Sequence, residues 1–112
     1  METTRQQKVA KQLQRDLAEI LQRECGELFK GLLLTVTAVR VSPDLGYAKS
    51  YISVFPFERG EEVMAKLEQN NWMVRKLLGG RIKHQLKVVP ELEFFIDDSL
   101  EYIEGIERAI KE

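Results

Sequence analysis

The sequence predicts a single α+β domain with the element order helix, strand, strand, helix, break, helix, strand, helix. Three observations carry that expectation. Apolar residues recur at helical spacing near both ends and in the middle of the chain. Two runs rich in β-branched residues alternate with period two and are joined by a five-residue turn. The 112 residues suffice for one modest core and not for two, with an apolar content of 44% and a charged content of 31% that argue against disorder.

In the first helix, Thr3 to Cys25, residues Val9, Leu13, Leu17, Ile20 and Leu21 form one stripe over about six turns. Gly26 and Gly31 punctuate its end. The first strand, Leu33 to Val41, is expected to place Leu34, Val36 and Ala38 on one face and Thr35, Thr37 and Val39 on the other. Ser42-Pro43-Asp44-Leu45-Gly46 supplies turn chemistry, and Tyr47 to Phe55 alternates as the second strand before Pro56. Glu61 to Gln69 reads as a short helix with Val63, Met64 and Leu67 inward. Asn70-Asn71 interrupts it, and Val74, Leu77, Leu78 and Ile82 resume the spacing. Gly79-Gly80 weakens that helix by about 1 kcal/mol per residue, so a packing reason for them is expected. Leu92, Phe94 and Ile96 mark the third strand, and Asp98 or Ser99 caps a last helix carrying Leu100, Ile103, Ile106 and Ile110.

Charge is segregated along this plan. Gln69 to Pro90 holds Arg75, Lys76, Arg81, Lys83 and Lys87 and no acid, whereas Glu91 to Glu112 holds eight acids against two bases. The first fifteen residues add Arg5, Lys8, Lys11 and Arg15, off the apolar stripe. A formal net charge of −1 hides a cationic face suited to a polyanion. If the second paired helix continues to Lys87, then Lys76, Lys83 and Lys87 share one side of it, flanked by Arg75 and Arg81 and neutralised by no local acid. The plainer alternative is a solvated helix face.

Trp72 stands among these bases. Exposed, it would offer a stacking platform for an unpaired base; buried, it would plug the hinge between the helices. Tyr47 and Tyr51 share a strand face with Lys49 and face the same choice between stacking and packing.

Helix, hairpin, broken helix pair and strand together resemble the type II KH domain, a small RNA-binding fold with its helices on one face of a three-stranded sheet. Val41-Ser42-Pro43-Asp44-Leu45 followed by Ala48-Lys49-Ser50-Tyr51-Ile52-Ser53-Val54-Phe55 is similar to the hairpin of the bacterial ribosome-binding factor A family. Val74-Arg75-Lys76-Leu77-Leu78-Gly79 and the run from Val89 to Leu100, with its Pro-Glu-Leu and Asp-Asp-Ser, match the same family in the same order. The resemblance covers about Arg5 to Ile106. It implies a non-catalytic assembly factor; the residues themselves give one domain, 1–112, whose residues 99–112 are expected to form an acidic helix. Its implied partners are precursor 16S rRNA, near the 5′ end, and free 30S subunits late in maturation, most of all in the cold. A ribosome-associated GTPase is a further partner the resemblance leaves open. The rRNA-contacting residues expected are Arg75, Lys76, Arg81, Lys83, Lys87, Arg5, Lys8, Lys11, Arg15 and Lys49. The family's Ala-x-Gly kink is matched here by Asn70-Asn71-Trp72. One Asn is therefore expected to take a left-handed backbone, with Trp72 wedged against the following helix.

Other classes find little support. Adjacent Asp97 and Asp98 point to opposite faces of a strand, and His84 lies among cations that repel a metal. Cys25 is alone, so no disulfide or cysteine metal site forms within the chain. No cofactor and no metal are expected. No run approaches the roughly 20 apolar residues that span a bilayer, and the polar N-terminus lacks the core of a secretory signal. A cytoplasmic monomer without membrane contact is expected. The second class that stays open is a protein-interaction module. Its acidic helix (Glu101, Glu104, Glu107) would dock a basic protein or fold back on the domain's own basic surface.

Overall fold

The computed structural model describes residues 3–97. The expected C-terminal helix, its acids and its cap at Asp98 or Ser99 lie outside the described residues. Helix α1 (Thr4–Glu19) opens on a reciprocal cap: the Thr3 hydroxyl accepts from the Gln6 amide at 3.1 Å, and the Gln6 side chain accepts from the Thr3 amide at 2.8 Å. Ala10, Leu13 and Leu17 point into the core, followed by Ile20 and Leu21. The expectation of one regular helix to Cys25 is corrected. After Glu19 the chain widens into a π turn, Ile20–Glu24, closed by the Cys25 amide donating to the Ile20 carbonyl at 3.0 Å. That turn keeps Ile20, Leu21 and Cys25 buried together. Phe29, in the connection that follows, also joins the core, which its aperiodic surroundings did not announce.

Strands β1 (Leu33–Val41) and β2 (Tyr47–Phe55) pair antiparallel, and β3 (Glu91–Ile96) pairs parallel to β2, so β2 is central. Ala48, Ile52 and Val54 of β2 join Leu92 and Phe94 of β3 on the face covered by helices. On β1 the predicted alternation fails halfway. Val36 opposes Ile52 while Ala38 opposes Tyr51, leaving Thr37 as the extra residue of a bulge. Val39 and Val41 are therefore buried in place of Ala38, which is only half-buried.

Helix α1 stabilises this bulge. The Gln14 amide donates to the carbonyls of Val36 (3.0 Å) and Thr37 (3.4 Å), and the Gln6 amide donates to Val41 O at 2.9 Å. These bonds satisfy carbonyls along the edge strand, where a buried unpaired group would cost about 1–3 kcal/mol. The Thr37 hydroxyl donates to Asp97 Oδ2 at 2.6 Å, tying the bulge to the end of β3 across the sheet. In the hairpin turn Leu45 takes a positive φ of 61°. Asp44 braces it by accepting from the Ser42 hydroxyl (2.6 Å) and the Gly46 amide (3.0 Å), contacts that hold its carboxyl below the usual range.

A cis Phe55–Pro56 bond leads into a short 3₁₀ turn, Phe57–Arg59, and then α2 (Gly60–Gln69) and α3 (Asn71–Ile82). Val63, Leu67, Val74, Leu78 and Ile82 are buried, as the spacing predicts. The expected break between α2 and α3 falls at Asn70, but its mechanism differs. Asn70 has φ −110° and ψ 15°, and Leu45 alone among described non-glycine residues has positive φ. The asparagines act through their side chains instead. Asn70 Nδ2 donates to Lys66 O at 2.8 Å, closing α2, and Asn71 Nδ2 donates to Leu92 O at 3.0 Å, fixing the start of α3 to β3.

Candidate nucleic-acid interface

Two concavities flank the α2–α3 break. The larger, about 880 Å³, lies between α2 and β3, the edge strand among the described residues. Its lining includes Glu58, Glu61, Glu68 and Glu93 beside Met64 and Phe94, with no Lys or Arg among the described residues. A phosphate entering there would meet carboxylates on both walls, so it does not suit a polyanion.

The smaller, about 570 Å³, is an open ledge on the outside of α3. Helix α3 turns Val74, Leu78 and Ile82 inward, which leaves Trp72, Lys76 and Gly79 along one outer stripe. The chain leaves the helix after Ile82 and returns so that Lys87, Val88 and Val89 form the opposite wall of the ledge. Two devices hold that wall. A Cβ on Gly79 would stand 3.0 Å from a Val89 methyl, so glycine permits the close approach. Arg75 donates to the main-chain carbonyls of Val89 (2.7 Å) and Pro90 (3.2 Å). The packing reason expected for the glycine pair is found at Gly79, whereas Gly80 faces open space.

The ten cations expected at an RNA surface do not assemble as one strip. Because α3 ends at Ile82, the expected helical side carrying Lys76, Lys83 and Lys87 does not exist. Lys76 and Lys87 nevertheless meet, across the ledge, while Lys83 stands exposed just beyond the helix end. Arg75 has its guanidinium on backbone carbonyls. Arg81 turns to α1 and the π turn. It donates to Glu19 at 2.6 Å and Glu24 at 3.4 Å and lies 3.7 Å from Asp16. The expectation that no acid neutralises this segment is corrected for Arg81. Its hydrogen bond holds the Glu19 carboxyl below, and the Arg81 guanidinium above, their ordinary ranges. Arg5, Lys8, Lys11 and Arg15 are exposed on α1. Lys49 lies on the other side of the sheet, its ammonium 6.0 Å from the Phe95 ring that stacks on Tyr51.

Trp72 is 68% exposed, not wedged against α3, and Val88 beside it is 67% exposed. Sequence reasoning did not single out Val88, since only the returning chain brings it to the ledge. His84 is exposed beyond α3. Among the described residues no three His, Cys, Asp or Glu side chains converge where a metal ion would sit, and no helix is long and apolar enough to cross a membrane.

A profile of the family described as Ribosome-binding factor A matches residues 5–110. The chain is 47% identical to a protein of that name from Christiangramia forsetii, over 98% of this chain and 85% of the relative. It is 43% identical to one from Chlorobaculum tepidum, over 96% and 88%. Its fold is similar to the crystal structure of ribosome-binding factor A from Thermus thermophilus, with a TM-score of 0.68 and 30% identity over 81% of this chain and 94% of that one. It is also similar, at a TM-score of 0.64 and 30% identity over 80% and 91%, to a homology model of the Thermus thermophilus factor fitted into the cryo-EM map of a 30S–RbfA complex.

Proposed function

The chain belongs to the ribosome-binding factor A family, and from that premise we propose that it binds the small (30S) ribosomal subunit as a non-catalytic assembly factor. The reading extends to precursor 16S rRNA as the nucleic acid, to late maturation and 5′-end processing as the stage, and to the cold as the condition of greatest need. It describes a cytoplasmic monomer, with a ribosome-associated GTPase as a further partner. The observation that carries the RNA part is the placement of Lys76, Lys83 and Lys87. All three are exposed, on or just after α3, in a stretch of chain free of acids. Exposed Lys ammoniums attract phosphates and release the counterions condensed on them, which supplies affinity without base sequence. Arg75 and Arg81 contribute differently in this reading: one holds the wall of the ledge and the other joins α3 to α1. Arg5, Lys8, Lys11 and Arg15 form a second strip on α1, and Lys49 a separate contact beyond the sheet.

The test is co-sedimentation with immature 30S subunits, from cells lacking the factor, across a salt series. Binding should weaken linearly on a log–log plot. Changing Lys76, Lys83 and Lys87 together to Ala should flatten the slope by roughly one unit or less per residue. Wild-type protein that fails to sediment with 30S subunits, or does so indifferently to salt, would overturn the proposal. Crosslinks mapped on 16S rRNA then identify the element contacted.

A further inference from the structure

We infer that Trp72 is a stacking platform for one unpaired base of the bound RNA, with Lys76 and Lys87 holding the phosphates beside that base; the inference rests on the RNA-binding reading above. Tryptophan is a costly residue to leave in water, since its ring carries more apolar area than any other side chain. This one is 68% exposed and is the only tryptophan of the chain. It is not a stray surface residue. Val88, 67% exposed, stands with it in the same ledge, so two large apolar groups face solvent together.

The surroundings select the kind of ligand. Trp72 and Lys76 are one helical turn apart on α3, which makes them neighbours on its surface. Lys87 completes the ledge from the returning chain. Among the described residues no acid lines the ledge, and none occurs in the sequence from Gln69 to Pro90. An exposed aromatic side chain that shares a ledge with two lysines fits an anion that carries its own flat face, which describes a single-stranded nucleotide. Duplex RNA keeps its base faces stacked internally and cannot offer one. The geometry is also held in advance. Gly79 lets the wall lie directly on α3, and Arg75 grips the carbonyls of Val89 and Pro90, so the ledge exists before any ligand arrives.

The lone indole makes the test direct, because all of this chain's tryptophan emission, read as the difference from subunits alone where they are present, reports this position. Full-length protein is titrated with a single-stranded oligoribonucleotide, with its duplex, and with immature 30S subunits. Quenching is expected with the single strand and the subunit and not with the duplex. Trp72→Ala should weaken single-strand binding roughly tenfold with the salt slope unchanged, and Trp72→Phe should recover most of that loss. Lys76→Ala and Lys87→Ala should each lower the slope by about one while leaving the quench at saturation. Binding to 30S subunits with unquenched emission, or equal affinity for the Ala and Phe variants, would overturn stacking and leave the assembly-factor reading standing. A quench by the subunit that no RNA reproduces would assign Trp72 to a protein contact and also overturn it. Wild-type protein that binds neither RNA nor subunit would remove both readings.

Discussion

The two sides of the α2–α3 break differ in almost every respect although the residues that begin them are adjacent. Asn71 lines the groove between α2 and β3, where the charged lining is carboxylate, and Trp72 lines the ledge on α3, where it is ammonium and guanidinium. The groove is the larger, yet its carboxylates would repel phosphates; the ledge is smaller, and its cations would attract them. Size alone would choose the acidic one. What separates them is a single irregular residue, Asn70, after which α3 turns successive side chains to opposite sides.

The comparison presupposes a common frame, and the largest expected effect removes it. Phe94 is 6% exposed and serves both as core and as a wall of the groove. Phe94→Ala should cost about 3–5 kcal/mol, much of a small domain's stability. A thermal melt within a few degrees of wild type would show that the sheet face is wrongly assigned.

Charge distinguishes the two sides next. Reversing Lys76 and Lys87 to Glu should cut 30S affinity by roughly a hundredfold at low salt. Changing Glu61 and Glu68 of the groove to Gln should leave it within about twofold. Equal losses from both pairs, measured by sedimentation, would erase the distinction.

Smaller effects sharpen it. Gly80→Ala meets open space and should raise stability by about 0.5–1 kcal/mol through helix propensity. Gly79→Ala has the same propensity gain but pushes on a Val89 methyl at 3.0 Å, so it should gain nothing and should disturb the ledge wall. Denaturant melts of the pair, with Trp72 emission, would show whether the wall depends on that contact. The smallest effect concerns acid. Glu19 is held below its ordinary pKa chiefly by Arg81, so its contribution is complete above the unfolded-state value and is lost as pH falls through the folded one. Thermal midpoints of wild type and Glu19→Gln should therefore converge at acid pH and separate toward neutrality, with wild type the higher.

Much of the frame was legible. Both hairpin strands begin and end where β-branched alternation and turn residues place them, and the helix pair breaks where two asparagines interrupt the periodicity. The unreadable parts are those set by distant partners. The bulge at Thr37 depends on carbonyls satisfied from Gln14, 22 and 23 positions away. Arg81 looked free because its acids lie 62 and 57 positions earlier in the chain. Lys87 reaches the ledge through a turn that no period announces, and the same turn brings Val88. The candidate surface was thus visible as a charge pattern and invisible as a shape.

Arg75 carries one more consequence. It grips Val89 and Pro90 by their main-chain oxygens, groups that every residue possesses. Arg75's hold on the wall is therefore indifferent to which side chains residues 87 and 88 carry. Exchanging residues 87 and 88 should thus reshape the surface of the ledge without moving the backbone that presents them. Such a surface separates the inheritance of the scaffold from the tuning of recognition, and it offers an experimenter two positions at which a new preference can be selected on an unaltered fold.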